Sequence, residues 1–254
     1  MSTQPSAGSG TLTVAGTEVA RIGLGTNRLT STPENHEFLR QAVQAGLGMI
    51  DTAHVYSGGD SERAIGEALS PKPDGVVIAT KGGYSGHGSP AELRAQIEQS
   101  LESLRTDVID LYYLHRVDPE TPLEESLSVI AEYRDAGGIN EVGVSAVSVE
   151  QVEAALGVVP IAAVQNHYNV ADRDSDDVVD YCEENGIAFV PYYPLKGGGP
   201  PALAEVSRAR NASAEQIALA WLLRRSPVTL PIPGTLSLEH LRENLAALEI
   251  DLTD

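Results

Sequence analysis

Two hydrophobic rhythms alternate along this chain. Short apolar runs of strand length lie at Ile22–Leu24, Met49–Ile50, Val76–Ala79, Val108–Leu114, Glu141–Val144, Ile161–Val164, Ile187–Val190 and Val228–Ile232. Between them run longer stretches with apolar residues at helical spacing, such as Leu93, Ile97, Leu101 and Leu104. Helix starts are marked by Ser89-Pro90-Ala91-Glu92 and Thr121-Pro122-Leu123-Glu124, which place Pro in the first turn and Glu as capping partner. Ser148 with Gln151, and Ser213 with Gln216, are further capping boxes by spacing. Ahead of the first run, Leu12–Val14 and Glu18–Arg21 predict a β-hairpin.

Strands that alternate with helices, with no interior hairpins, must run parallel and be joined by helical crossovers. Eight such units predict an α/β fold, a (β/α)8 TIM barrel behind an N-terminal hairpin. An open doubly wound sheet would need a glycine-rich nucleotide turn after its first strand. Gly23-Leu24-Gly25-Thr26-Asn27 lacks the third glycine of that turn. The polar, small residues Met1–Gly10 are expected to form a disordered tail, leaving residues 11–254 as a single domain with no internal linker.

A barrel carries its chemistry at the carboxyl ends of its strands. In this sequence those ends read Asp51, Lys81, His115, Ser145, Gln165-Asn166, Tyr192 and Pro233-Gly234-Thr235, with Tyr56 just beyond the first of them. An acid, a phenol, an amine and an imidazole gathered at one sheet end can deliver a proton. A free phenol with a pKa near 10 donates reluctantly at neutral pH. An ammonium within ~4–6 Å would lower that pKa, and a carboxylate would keep the ammonium charged and in place.

Composition adds one unusual feature. Acidic residues number 36 against 17 basic ones, a net charge of −19, and Lys72, Lys81 and Lys196 are the sole lysines. A field of that sign repels nucleic acid and anionic membranes, so neither is an expected partner. At molar salt the Debye length falls to about 3 Å and self-repulsion fades, which fits a halophilic, salt-rich cytoplasm. An acidic surface kept for solubility is the plainer alternative. No run approaches the roughly 18 apolar residues of a membrane span, and the start of the chain lacks the pattern of a secretory signal. Cys182 stands alone, which excludes an internal disulfide and suits a reducing compartment.

Asp51-Thr52-Ala53-His54-Val55-Tyr56-Ser57-Gly58-Gly59-Asp60-Ser61-Glu62 resembles the signature of the aldo-keto reductases, with Ser57 where glycine is usual. Leu114-His115, Gly143-Val144-Ser145, Val164-Gln165-Asn166, Tyr192-Tyr193-Pro194-Leu195 and Ile232-Pro233-Gly234-Thr235 follow in the family's order. The similarity runs from about Ile22 to Leu248. Within the family, Tyr168-Asn169 and His240-Leu241-Arg242-Glu243-Asn244 look most like the compact bacterial, pyridoxal-reductase-like members. The resemblance implies Tyr56 as general acid, Lys81 as its tuner, Asp51 as the partner of Lys81, and His115 as the residue orienting the carbonyl.

It also implies a nicotinamide dinucleotide, NADP(H) by family habit with NAD(H) open. Tyr192 matches the aromatic residue that stacks on the nicotinamide, while Ser145 and Gln165 match the residues that hold its carboxamide. Gly25, Thr26, Pro194 and Leu195 belong to the same implied cofactor surface. Lys196 and Gly198, in Gly197-Gly198-Gly199, follow strand seven where backbone amides can approach the pyrophosphate. Gly234, Thr235, Ser237, His240, Glu243 and Asn244 match the adenosine-phosphate clamp. Three departures stand out: Ala146 in place of Asn, and no cation at Gly234 or His240, where many relatives carry Lys and Arg.

The chain stops at Asp254 and the loop from Lys196 to Pro201 is short, so an open substrate site is expected. Thr26, Asn27, Arg28, His54, Tyr56, His115 and Tyr193 would shape it. Arg28 would either favour acidic or phosphorylated carbonyl compounds or sit exposed without a role. Tyr112, Tyr113, Trp221 and Cys182 are expected to pack rather than react. The partner is a small-molecule carbonyl compound, and the protein is expected to be a monomer or weak homo-oligomer. A non-catalytic dinucleotide-binding regulator on the same fold is the alternative from another class. A metal-dependent hydrolase is disfavoured because His54, His87, His115 and His167 form no H-x-H pair.

Overall fold

The computed structural model describes residues 10–196 and 202–252. The expected tail, residues 1–10, therefore lies outside the described residues but for Gly10, whose carbonyl accepts from Arg21 N at 3.0 Å, and Gly198 and its neighbouring glycines lie outside them too. Strands β1 (Thr11–Val14) and β2 (Thr17–Ala20) pair antiparallel, with Leu12 opposite Val19. Ala15 and Gly16 turn between them at φ 48° and 75°, the two-residue geometry whose twist matches that of its strands.

The parallel sheet holds seven strands in chain order. They are β3 (Leu24–Gly25), β4 (Met49–Asp51), β5 (Val77–Gly82), β6 (Ile109–Leu114), β7 (Ile139–Ser145), β8 (Ile161–Gln165) and β9 (Ala188–Phe189). The intervening helices are α1 (Pro33–Gln44), α2 (Asp60–Leu69), α3 (Pro90–Leu104), α4 (Leu123–Asp135), α5 (Val149–Leu156) and α6 (Asp176–Asn185). Three more follow β9: α7 (Ala202–Arg210), α8 (Ala214–Arg225) and α9 (Leu238–Ala246).

The last predicted strand is replaced by an extended segment, 228–234, that makes only isolated bridges. It bonds to both sheet edges: Phe189 pairs with Thr229 on one side and Gly25 with Gly234 on the other. The reason is proline. Pro231 and Pro233 have no N–H to give, so towards β3 they only accept, from Gly23 N at 2.9 Å and Gly25 N at 3.3 Å. Leu230 and Ile232 donate to the other edge, to Phe189 O and Pro191 O. Arg21 clamps the approach to this segment. Its buried guanidinium donates to the carbonyls of Leu223, Ser226 and Thr229 at 2.8, 2.5 and 3.1 Å.

Side chains alternate across the sheet. Ile78, Tyr112, Leu114, Val142, Val144 and Val164 face the helices and join the larger hydrophobic cluster. Met49, Val77, Ala79, Leu111, Tyr113, Ala163, Val190 and Leu230 fill the interior, with Leu12, Val14 and Val19 of the hairpin packed among them. Gly143 makes room for one of these: a Cβ there would meet the Tyr113 ring at 2.4 Å. Tyr112, Tyr113 and Cys182 are buried, as expected. Trp221 packs as expected, at the edge of the larger cluster. It is half-buried, stacked on Tyr168 at 5.9 Å, with Arg173 at 5.5 Å above its ring.

Both capping boxes read from spacing are present, at Ser148/Gln151 and Ser213/Gln216. Ser89 caps α3, although Glu92 answers its hydroxyl rather than its N–H. Thr121 does not cap α4; its hydroxyl donates to Asp118 and Pro122 takes the cap position. No helix among the described residues is long and apolar enough to cross a membrane.

Candidate active site

The interior parity of each strand continues upward from apolar residues into polar ones. Leu24 faces the helices, so Gly25 points in; Met49 then Asp51 point in, as do Ala79 then Lys81, and Tyr113 then His115. On the same alternation come Ser145, Gln165, Tyr192 and Gly234. Of these, Gly25, Asp51, His115, Ser145, Gln165, Tyr192 and Gly234 line one cleft of about 810 Å3 at the carboxyl ends of the strands. Lys81 lies beneath it, fully buried.

The Lys81 ammonium has three protons and three acceptors. Nζ donates to Asp51 Oδ1 at 2.5 Å, to the Thr52 carbonyl at 2.7 Å and to the Tyr56 hydroxyl oxygen at 3.5 Å. The second oxygen of Asp51 accepts from Gln165 Nε2 at 2.7 Å, so the carboxylate is held from two sides. Because the phenol oxygen accepts from Lys81, its own proton is directed elsewhere. His115 stands edge-on to the Tyr56 ring at 5.8 Å between centroids, and Tyr84 covers His115 at 4.8 Å. Among the described residues no cluster of three His, Cys, Asp or Glu side chains could hold a metal ion.

The loop that carries Tyr56 is conformationally demanding. Ser57, Gly58 and Gly59 all have positive φ, at 51°, 65° and 91°. Ser57 thus occupies a left-handed position that glycine takes without strain, which explains the glycine usual there. A hydroxyl chain fixes the loop from below: Thr26 Oγ1 meets Ser61 Oγ at 2.8 Å and Thr52 Oγ1 meets it at 2.7 Å.

Burial dominates the electrostatics. It pushes the Asp51 carboxyl up, with Lys81 pulling it back. Burial also works against the Lys81 ammonium, but the charges of Asp51 and Tyr56 outweigh it and raise its pKa. The Tyr56 phenol is raised, because burial exceeds the opposing pull of Lys81. Lys81 does pull the phenol down, by its charge and its hydrogen bond, as expected, but desolvation of a phenolate costs more here than one partly neutralised cation returns. His115 is pushed down to about 2, by burial first and then by the cations Lys81 and Arg116. At neutral pH the site therefore holds a protonated phenol and a neutral imidazole.

The residues matched to a cofactor divide into groups. Gly25, Thr26, Ser145, Gln165, Tyr192, Pro194, Leu195, Lys196 and Gly234 line the cleft. The Thr26 hydroxyl, however, is committed to Asp51 O and Ser61, and Gln165 spends its amide N–H on Asp51. The Ser145 hydroxyl makes no hydrogen bond to any described residue. Tyr192 is stacked on His167 at 5.5 Å. Thr235, Ser237, His240, Glu243 and Asn244 lie off the cleft, around the start of α9. Ser237 caps that helix by accepting from His240 N, and Asn244 is buried. Ala146 has φ 56°, a left-handed conformation in which Asn is at home and Ala is strained.

Of the residues expected to shape a substrate pocket, Thr26, Asn27, Arg28, Tyr56, His115 and Tyr193 line the cleft, but His54 does not. Its backbone N–H bonds the Lys81 carbonyl, and its Nδ1 is buried without a partner. Sequence reasoning missed Arg116, Tyr84 and the Gln165–Asp51 bond. Arg116 carried a signal, as the cation next to a strand-end histidine. Tyr84 sits in a glycine-rich loop that offers none.

The sequence profile described as the Aldo/keto reductase family matches residues 21–201 and 199–254. An uncharacterized oxidoreductase of Schizosaccharomyces pombe is 38% identical over 266 residues, spanning 96% of this chain and 87% of that protein. Pyridoxine 4-dehydrogenase of Escherichia coli is 36% identical, spanning 97% of this chain and 95% of the enzyme. Among solved structures, a thermostable aldo-keto reductase crystallised with the inhibitor epalrestat superposes with a TM-score of 0.88 at 34% identity, over 96% of both chains. An aldo/keto reductase from Klebsiella pneumoniae in complex with NADP and acetate gives 0.83 at 30% identity, over 93% of this chain and 88% of that one.

Proposed function

This chain belongs to the aldo/keto reductase family, and from that premise we propose that it reduces aldehyde and ketone carbonyls to alcohols at the expense of NADPH, with Tyr56 as the proton donor. The observation that carries the reading is the Lys81 ammonium, buried and shared between Asp51, the Thr52 carbonyl and the Tyr56 hydroxyl. Segment 228–234, bonded to both sheet edges, is read as the eighth strand of a closed (β/α)8 barrel.

The residues present fit a nicotinamide dinucleotide. Ser145 offers an uncommitted hydroxyl at the cleft wall, and Gln165, with its N–H on Asp51, retains a carbonyl oxygen for an amide donor. Tyr192 provides a ring braced by His167. Lys196 supplies a cation and the start of α9 supplies backbone N–H groups for phosphate. NADP and NADPH complexes of the Klebsiella pneumoniae relative support the phosphorylated cofactor. When bound, the dinucleotide supplies hydride to the carbonyl carbon.

The chain's own groups handle the proton. Tyr56, kept protonated by burial, directs its O–H away from Lys81 and towards the developing alkoxide. As that proton leaves, Lys81 is already placed to stabilise the phenolate, and Asp51 keeps Lys81 charged. His115 is neutral and its Nδ1 is buried without a partner. Its single ring proton is best carried by Nε2, the nitrogen able to find one, where it polarises the carbonyl oxygen.

Pyridoxal is a candidate substrate, since pyridoxine 4-dehydrogenase is among the relatives. The lone, buried Cys182 suits a cytoplasmic enzyme. The test is NADPH oxidation over a carbonyl panel that includes pyridoxal, with kcat/KM for NADPH and NADH compared at low and high KCl. NADPH binding without oxidation by any carbonyl compound would instead indicate a regulator.

A further inference from the structure

Three cations line the cleft of a protein whose net charge is −19: Arg28, Arg116 and Lys196. With acids outnumbering bases, 36 to 17, a basic side chain finds a carboxylate readily. Arg40, Arg63, Arg94, Arg105, Arg173 and Arg225 all do. Among the described residues, the three in the cleft do not. Lys196 already has a role in the reading above, and Arg28 is exposed at the surface.

Arg116 is different. It is half-buried, and the one hydrogen bond it makes to a described residue runs from Nη2 to the Tyr192 hydroxyl at 3.4 Å. Its guanidinium carbon lies 5.8 Å from the Tyr192 ring. A guanidinium has five N–H donors, so most are left for another acceptor. The nearest acid in sequence, Asp118, is turned away and fully committed. Its oxygens accept from Gly88 N at 3.0 Å, Glu120 N at 3.0 Å and Thr121 Oγ1 at 3.1 Å. The other cation of the site, Lys81, is neutralised by Asp51. Arg116 is therefore a half-buried cleft cation with no carboxylate partner among the described residues, one residue beyond His115. Both residues line the same cleft, so one substrate can meet the imidazole and the guanidinium together.

We propose that Arg116 is a specificity-determining residue that selects carbonyl compounds bearing an anionic oxygen group, a carboxylate or a phosphate, close to the carbonyl. This rests on the reading of the cleft as a reductase site. A partly buried guanidinium makes strong, often paired bonds to such groups, while a neutral substrate leaves it unsatisfied. The uncompensated charge also answers the overall −19 field, which would otherwise repel an anionic substrate.

The test uses the whole chain, NADPH at saturation, one fixed salt concentration and two matched pairs. The carboxylate pair is 4-carboxybenzaldehyde against 4-formylbenzamide; the phosphate pair is glyceraldehyde 3-phosphate against glyceraldehyde. Wild type should favour the anionic member of at least one pair by about 10- to 100-fold in kcat/KM, the range of a charged hydrogen bond. Arg116→Gln, which can still donate to the Tyr192 hydroxyl, should collapse that ratio to about threefold or less, chiefly through KM. Arg116→Lys should restore part of it. The pair that responds identifies the anion. No preference in either pair, equal losses on both members, or a loss that tracks a weaker NADPH Kd overturns the proposal. Absence of turnover with all four compounds would count against the reductase reading itself, whereas reduction without preference defeats only the role of Arg116.

Discussion

Replacing Asp51 by Asn changes one charge at the centre of the site while keeping its shape. Lys81 is fully buried, so its ammonium cannot turn to water when the carboxylate is lost. The amide oxygen can still accept from Nζ, and Gln165 can flip to face the new NH2. Breaking one side of a buried ion pair costs about 3–5 kcal/mol, and the retained hydrogen bond places this variant near the lower end, about 3 kcal/mol. For a chain of this size that is a fall in Tm of about 6–12 °C. Lys81→Met orphans the carboxylate and should cost a similar amount. The double variant removes both charges, so its loss should be well below the sum of the two, with a coupling of about 2–3 kcal/mol. The pH dependence between 7 and 10 should also change, from flat in wild type to rising with pH in the variant. In wild type the Lys81 pKa is raised above its usual 10.5, so its contribution is complete below that value and is lost as pH rises through the folded-state value. Without the carboxylate, burial prevails and the pKa falls below 10.5; stability then rises with pH towards that value. Urea titrations of the four proteins between pH 7 and 10 measure both effects. An Asp51→Asn protein melting within about 2 °C of wild type, with an unchanged pH slope, would refute the buried-pair account.

His115 should make the protein acid-labile. Its folded value of about 2 lies below the usual 6.5, so its contribution is complete above 6.5 and is lost as pH falls. At pH 5 the loss is about 2 kcal/mol at 1.36 kcal/mol per unit, and His115→Gln should lack it; equal acid sensitivity in urea titrations would contradict this. Ala146→Asn should relieve the strain at φ 56° and add a polar group by the cleft, raising Tm by a few degrees. NADPH binding should tighten several-fold, for about 1 kcal/mol of hydrogen bonding, and unchanged Tm and Kd would count against it. The net charge of −19 should make Tm climb from dilute buffer to multimolar KCl, and a flat profile would remove the proposal of a salt-rich setting.

The gathering of the strand-end side chains was legible because alternation along parallel strands is periodic. Strand-end position and a two-residue alternation suffice to bring Asp51, Lys81, His115, Ser145 and Gln165 to one interior face. Paired local signals were legible for the same reason, as at Ser148/Gln151 and Ser213/Gln216. Where a local signal met a longer-range competitor it misled: Thr121 bonds Asp118 rather than capping α4, because that carboxylate also organises Gly88 and Glu120. The regular eighth strand failed on backbone chemistry, since Pro231 and Pro233 cannot donate. The upward shift of Tyr56 could not be read from spacing, because it depends on how deeply the phenol is buried. Arg116 and Tyr84 entered the site through loop conformation, which strand periodicity does not encode.

The most direct test of the central claim is Tyr56→Phe, assayed for carbonyl-dependent NADPH oxidation alongside NADPH binding. The ring and its packing against His115 are kept, and only the hydroxyl bonded to Lys81 is removed. The expected result is a fall in kcat of at least about a hundredfold, the scale of general-acid catalysis, with NADPH Kd nearly unchanged. Turnover close to wild type would contradict it.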